Sequence, residues 1–521
     1  MRLPIIEHTG NASLKVIGAF HGLNKNLVCQ DTEFFDMKNI STRFYPAIGT
    51  RERRGKVSGS VENPGGLYYK NGLFWIDGEK AFYKGSEVGT VSAGEKQLVG
   101  MGAYIVIWPD KAAFNTHTWE WTQIEEVFLP EGEVMFDPLS KDSAFTKISV
   151  AGIEKHFKKG DAVQITGCSN AEFNKTTVLK EVGSGYVVVT GALSKGFKNT
   201  GITFRRGAPD MDFICESNNR LWGCSSNNHE IYASKLGDPL NWNVFEGSST
   251  DSYAVTVGTD EDFTGCTAHL GNILFFKENA IHKLMGAKPA SFQITPYTLP
   301  GIRKGCERSI QIIKETLYYV GRDGVYGYDG ATPYCISRNL GEVRLLEAVA
   351  GQQDGFLYIS ANDGSKRRLY VYDTETRLWS IEDETDFRYA VYGNGVLYYA
   401  DGKGQIASIK GDRDETIDWY LESGDIREQT MNNKYISKLL FNIWLERKAR
   451  VDVYVRWDDE PLWEHQGSIT AEWNQTYSIP MIPKRCNKFR FRLIGKGQFK
   501  LIGIGRYIEG STEVLHGIVF H

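Results

Sequence analysis

Long apolar runs are missing from this chain: no stretch approaches the ~18 residues that cross a bilayer as a helix, so no spanning helix is expected. The opening residues, Met1-Arg2-Leu3-Pro4-Ile5-Ile6-Glu7, lack the apolar centre of a signal peptide, and a protein soluble as made is the expectation. Cysteines are few and unclustered. The eight (Cys29, Cys168, Cys215, Cys224, Cys266, Cys306, Cys335 and Cys486) show no CxxC or metal-ligand spacing, which reads as reduced, buried thiols suited to assembly in a cytosol. Neither sign of charge prevails, with 60 basic against 64 acidic residues and a net charge of -4, so global attraction to nucleic acid is not expected. Proline is scarce at 15 residues, whereas 55 glycines and 12% aromatics suit a turn-rich all-β protein, because Gly supplies positive φ in hairpins and aromatics favour pleated surfaces.

Against that background one pattern recurs seven times: an apolar, aromatic strand, a turn bearing Gly or Asp, and a second strand. The copies begin near Leu67, Ala103, Leu221, Ile273, Leu317, Phe356 and Val396; Thr316-Leu317-Tyr318-Tyr319-Val320 and Gly395-Val396-Leu397-Tyr398-Tyr399 are representative. The last three intervals are 44, 39 and 40 residues. A period of about 40 to 45 residues with several short strands is that of a four-stranded propeller blade. Asp-led turns such as Asp238-Pro239-Leu240-Asn241-Trp242 and Asp373-Thr374-Glu375-Thr376 punctuate the copies, the Asp side chain bonding backbone two residues on.

The interval from Ala103 to Leu221 is 118 residues, so roughly 70 to 75 residues are inserted there. Phe157 to Cys168 alternates inward and outward residues, and Tyr186-Val187-Val188-Val189-Thr190 follows a Gly183-Ser184-Gly185 turn. Closure into a small β-barrel would shelter such Val/Thr-rich strands. After Trp419 the blade period stops, and longer alternating strands such as Ala449 to Trp457 and Lys488 to Gly495 have the texture of a β-sandwich. Residues 1–60 lack the repeat and read as an extended arm with one short helical turn near 30–40. The expected organisation is therefore an all-β chain: an arm at 1–60, a seven-bladed β-propeller at 61–131 and 207–420, an inserted small β-barrel at 132–206, and a C-terminal β-sandwich at 421–521.

Residues that could carry chemistry are sparse. None of the ten histidines lies in HExxH or HxH, and GxSxG, P-loop and strand-to-helix GxGxxG motifs are absent, so no metal, cofactor or catalytic residue is expected. Gly321-Arg322-Asp323-Gly324 and Asp401-Gly402-Lys403-Gly404 are hairpin turns. Propellers host carboxylate pairs at the channel mouth, which makes Asp260, Glu261 and Asp262 the candidate acids of a rival glycosidase reading; a solvated loop is the plainer one. The Ser-x-Asp-x-Gly-x-x-Trp turn of sialidase-like enzymes does not occur.

Basic residues cluster at Arg51, Arg53, Arg54 and Lys56, at Arg205 and Arg206, and at Arg367 and Arg368. Guanidinium forks suit phosphate and carboxylate equally, so solvated surface, protein interface and DNA-backbone contact all stay open. No aromatic interleaves the first cluster, which argues against stacking on single-stranded bases. Arg490 and Arg492 alternate with Phe489, Phe491 and Leu493 and share one solvent- or interface-facing side of a strand. Trp444, Trp457, Trp463 and Trp473 read as core packing or as a sugar-binding stripe.

The segment Asp36-Met37-Lys38-Asn39-Ile40, with Tyr45-Pro46 and Arg51 to Gly55, resembles the start of tail proteins from double-stranded DNA bacteriophages. Arg220-Leu221-Trp222-Gly223, Ile231 to Ser234, Asp238 to Trp242, Leu274 to His282 and Gly305 to Tyr326 are similar to the propeller of the tail-hub, or packaged-DNA-stabilising, proteins of short-tailed phages. That resemblance covers most of the first 420 residues. It implies a non-enzymatic virion component, made in the host cytoplasm and incorporated in the tail. It further implies a ring, by analogy a hexamer, around the DNA path, contacting portal-adaptor proteins on one side and distal tail, fibre or needle proteins on the other. Genomic DNA would be touched non-specifically and no membrane would be involved. A slightly acidic ring would let DNA slide. The rival implication is a carbohydrate-binding propeller on a virion or cell surface.

Overall fold

The central strand of each repeat is apolar on both faces, as in Tyr104-Ile105-Val106-Ile107-Trp108, and the fold shows why. The computed structural model describes residues 13–510 apart from 414, 429–431 and 471–474, with backbone alone for 58–60. Met1 to Glu7 and Trp473 lie outside the described residues. The chain divides into two units, 61–310 with 329–333, and 1–60 with 311–328 and 334–521.

In the first unit, four four-stranded antiparallel sheets are each built from consecutive strands: Pro64–Tyr69 to Ser86–Thr90, Gln97–Met101 to Trp121–Gln123, Phe213–Ser217 to Tyr253–Thr256, and Gly265–His269 to Gln293–Tyr297. Ile105 and Ile107 pack with Phe74 and Ile76 of the preceding sheet. Val106 and Trp108, one residue out of step, pack with Leu221 and Trp242 of the following one. Period-two geometry thus sends alternate side chains into two different cores, and a strand covered on both faces must be apolar throughout.

The insertion occupies this unit as two further sheets. One orders Glu126–Phe128, Thr203–Arg206, Ala162–Thr166 and Thr176–Val178; the other orders Glu181–Gly183, Tyr186–Thr190, Phe145–Ser149, Val134–Pro138 and Phe197–Asn199. They enclose a common core that includes Phe136, Ile148, Phe157, Val187 and Phe204. The insertion begins with Glu126, earlier than residue 132, because its first strand pairs with its last.

The second unit holds three more four-stranded sheets. Gln311–Ile313 to Tyr334–Cys335 and Leu346–Gln353 to Trp379–Ile381 are consecutive. The third runs Phe387–Gly393, Val396–Asp401 and Gln405–Ser408, and takes Gly55–Ser60 as its fourth strand, with Gly55 opposite Ser408. A Cβ at Gly55 would collide with the Ser408 hydroxyl, so this position accepts only glycine without rearrangement.

Two larger sheets complete the unit. A five-stranded sheet orders Phe34–Lys38, Asp418–Ser423, Phe489–Lys496, Arg450–Trp457 and Glu464–Thr470. A seven-stranded one follows the path Ile40–Ser41, Ile48–Thr50, Phe499–Gly510, Lys434–Leu445 and Gln475–Pro480, with Ser13–Ile17 beside Phe499–Gly510 and Arg485–Cys486 beside Lys434–Leu445. Their inner faces meet through Phe441 against Phe491, ring centroids 6.2 Å apart, and Trp419 stacked on Phe499 at 3.7 Å. Alternation is regular, as the burial pattern of Arg450–Trp457 shows, with Val451, Val453, Val455 and Trp457 inside.

Three expectations are corrected. The segment near 30–40 contains the strand Phe34–Lys38 and no helical turn; among the described residues helices are limited to three-residue 3₁₀ turns, and none is long and apolar enough to cross a membrane. The first repeat copy is out of phase: Leu67 lies on the first strand of its sheet, whereas the other six copies begin at the second. Tyr68-Tyr69 and Leu73-Phe74-Trp75 flank the same Asn71-Gly72 turn and are equally apolar, so the pattern alone does not separate them. The segment before residue 61 is no free arm, since its strands enter sheets made by residues 387–510. The Asp-led turns form as expected: Asp238 accepts from Leu240 N–H at 3.0 Å and Asp373 from Glu375 N–H at 2.9 Å. No disulfide joins the described cysteines, six of which are buried.

Candidate functional site

Three of the basic residues singled out by the sequence, Arg51, Arg54 and Arg206, are buried. Arg54 is 4% exposed and its guanidinium meets Glu382 at 2.7 Å and Asp383 at 2.9 Å while donating to the Ile409 carbonyl at 3.0 Å. Arg51 donates to Asn39 Oδ1 at 2.7 Å and bridges Asp383 at 3.2 Å and Glu415 at 2.9 Å. Glu415 also accepts the Arg54 backbone N–H. Burial alone would lower Arg54, but Asp383 and Glu382 outweigh it and raise its pKa. Burial would raise Asp383, yet Arg54 and Arg51 hold it down at about 2. This is a buried clasp between residues 39–54 and the segment 382–415. Neither arginine presents its fork to a phosphate. Arg53 sits half-buried against Glu446 at 2.9 Å, and Lys56 is exposed beside its strand partner Ala407. Arg43, not anticipated from sequence, extends the clasp to Tyr358 Oη at 2.9 Å and lies 4.6 Å over the Phe356 ring.

Arg206 anchors the insertion. It is buried, bridges Asp161 at 2.6 Å, and donates to the Ile124 and Gln123 carbonyls. Asn241, from the Asp-led turn, donates to Asp161 at 3.0 Å and accepts the Ala162 N–H at 2.9 Å. Arg205, next in sequence but on the opposite strand face, is exposed with Glu125 at 3.4 Å. Arg367 pairs with Asp386 at 2.9 Å and Glu347 at 3.1 Å; Arg368 pairs with Asp363 at 3.0 Å and Asp36 at 3.3 Å. In the other unit Asp260, Glu261 and Asp262 are exposed, Asp262 bridging Lys304 at 2.9 Å and Glu261 accepting from Asn279 at 2.9 Å. Among the described residues no group of three or more His, Cys, Asp or Glu is arranged to hold a metal ion.

An open arrangement lies on the outer face of the five-stranded sheet. Arg490 and Arg492 do share that face and are brought together on Glu422, with Arg490 also paired to Asp425 and 4.9 Å over the Phe35 ring. Trp463 is bracketed by Arg492 at 4.2 Å and Arg456 at 5.0 Å, whereas Trp457 is interior and Trp444 is half-buried under Lys500. Beside Arg492 a groove of about 770 Å³ runs across four strands, from Asp36 and Lys38 over Tyr420 and Ile494 to Arg450 and Asp452. The Tyr420 hydroxyl donates to Asp36 at 2.7 Å. Burial, with this carboxylate beside it, raises the phenol pKa, so the donor stays protonated at neutral pH. Burial would raise Asp452, but hydrogen bonds from Arg450 and Ser468 hold it below the usual carboxylate range. Alternation identified Arg492; the other groove residues come from strands far apart in sequence and carried no local signal.

No protein-family model matches the chain, and no curated protein matches it either. Among solved structures it is similar to BamB from Moraxella catarrhalis, at 11% identity over 70% of this chain and 99% of that one, with a TM-score of 0.37. It is also similar to PorZ of the type-IX secretion system of Porphyromonas gingivalis, at 10% identity over 86% and 70%, TM-score 0.28. A third is an exo-beta-1,3-galactanase from Phanerochaete chrysosporium, at 10% identity over 56% and 95%, TM-score 0.22.

Proposed function

We propose that the protein is a non-enzymatic structural component of a double-stranded DNA phage virion, a tail hub or head-to-tail closure ring around the DNA path. In this reading the seven four-stranded sheets are the blades of one propeller, the insertion is a small barrel on its rim, and the last two sheets form a β-sandwich. Six copies assemble in a ring that contacts portal-adaptor proteins and the distal tail. The observation that carries the reading is the fate of the segment through which the sequence resembles phage tail proteins. Asp36, Asn39, Arg51 and Arg54 bind the N-terminal strands to the sheets of residues 382–423. A shared motif whose residues serve architecture supports a shared architecture, and a chain whose segments 34–50 and 418–510 pair in common sheets suits a part held under DNA pressure.

Negative-stain imaging of the purified full chain, and of particles labelled on the C-terminal sheets, tests this. Rings of six protomers and label at the tail are the expected results. A protein that stays monomeric at assembly concentrations and is absent from particles would overturn the proposal.

A further inference from the structure

We propose that the groove on the outer face of the five-stranded sheet binds a neutral carbohydrate. This goes beyond the tail-ring reading and does not depend on it. The volume, about 770 Å³, lies in the range of small-ligand sites. Its floor is apolar at Tyr420 and at Ile494, which is 40% exposed although it sits in mid-strand.

Its walls select the class of ligand. Carboxylates and cations alternate around the rim and are already matched, Asp452 with Arg450 at 2.8 Å and Asp418 with Lys496 at 3.6 Å within the lining, and Asp36 with Arg368 at 3.3 Å and Arg492 with Glu422 from outside it. Three aspartates and four basic groups (Lys38, Arg450, Arg492 and Lys496) line the groove, and Glu422 behind Arg492 offsets the fourth cation, so neither an anion nor a cation gains from net charge. A paired carboxylate keeps spare acceptor lone pairs, and a paired guanidinium keeps spare N–H donors. Charge-assisted donors and acceptors in alternation match vicinal hydroxyl groups, each of which donates and accepts. The apolar floor supplies contact for the C–H face of a sugar ring, and the Tyr420–Asp36 hydrogen bond fixes the aromatic ring in advance, which reduces the ordering needed on binding.

The test presents the full-length protein with an immobilised panel of neutral glucose-, galactose- and N-acetylglucosamine-based oligosaccharides, with a sulfated tetrasaccharide as the anionic arm. At least one neutral sugar should bind, and Ile494→Trp, which fills the groove, and Asp452→Ala, which removes an acceptor, should each weaken it by about tenfold or more. Hydrogen exchange on the wild-type protein gives a readout that needs no variant: the bound sugar should protect peptides 418–423 and 489–496. Binding of no neutral sugar, binding of the sulfated probe alone, or unchanged binding by Ile494→Trp would each overturn the assignment. Ring formation in the imaging experiment is indifferent to all three results, so the two proposals fail separately.

Discussion

Replacing Arg54 by Met tests whether the buried clasp holds the second unit together. The change keeps an unbranched apolar stem but removes the cation that faces Glu382 and Asp383. Asp383 retains Arg51 at 3.2 Å, so the uncompensated charge falls on Glu382, which is 2% exposed. Breaking a buried pair by deleting one partner costs about 3–5 kcal/mol. An upper bound follows from protonation, because a stranded carboxylate can take up a proton instead of staying charged. From an ordinary pKa of about 4.3, neutralising it at pH 7 costs about 3.7 kcal/mol, and at pH 5 only about 1 kcal/mol. The sign is that of a carboxyl whose folded pKa is raised: its penalty is present at high pH and disappears as pH falls. Hydrogen exchange read at the Glu382 and Leu369 amides, which bond Leu369 O and Asp383 O, reports the local opening free energy. The expected loss for Arg54→Met is about 3–3.7 kcal/mol at pH 7 and about 1 kcal/mol at pH 5. Adding Glu382→Gln should recover most of it, since a neutral pair leaves no buried charge. A loss below about 1 kcal/mol at pH 7, or one that does not change with pH, would refute the reasoning.

Three further outcomes follow from the same structure. Arg206→Met strands the buried Asp161 and should loosen the insertion by about 3–5 kcal/mol, seen as faster proteolytic cleavage within 126–206 while peptides of the four-stranded sheets stay protected. Gly495→Ala drives a Cβ into the Trp419 ring and towards the Arg450 carbonyl; a loss of about 1–3 kcal/mol, measured by urea unfolding with tryptophan fluorescence, is expected. Asp383 and Asp363 are each held at about 2, against 3.8 for a free carboxyl; burial opposes the shift in both, and it is overcome by Arg54 and Arg51 at the first and by hydrogen bonds from Ser365 and Lys366 at the second. Because their folded values are depressed, their contribution is complete above about pH 4 and is lost as pH falls toward 2, so the melting temperature should drop across that window and be flat from pH 5 to 6 if these groups dominate.

The four-stranded sheets were legible because their signal is local. A strand such as Tyr104–Trp108, its turn and its neighbour lie within about 15 residues, and burial on both faces writes a continuous apolar run that composition cannot hide. Phase was less secure, since Leu67 and Leu73 flank one turn with equivalent residues. The N-terminal strands were not legible at all: Gly55–Ser60 has no repeat signature because it completes a sheet begun at residue 387, and a β-strand's partner leaves no trace in its own sequence beyond alternation.

The basic clusters mark the sharper boundary of what a sequence can say. Arg54 meets Glu382 across 328 residues, and Arg51 meets Glu415 across 364. Local sequence therefore shows the cation and conceals its partner, so a cluster that looks like a surface patch becomes an internal tie once both are placed. Arg205 and Arg206 show the same limit at a spacing of one residue: strand alternation puts one outside and one in, and only Asp161 decides which is anchored. The groove inverts the case. Its residues come from four strands between 34 and 496, only Arg492 conspicuous in the sequence, and they acquire their chemistry because neighbouring strands set carboxylate, guanidinium and phenol side by side. Recognition in this chain is thus expected where the pairing of strands brings unlike charges together at the surface, and architecture where it brings them together inside.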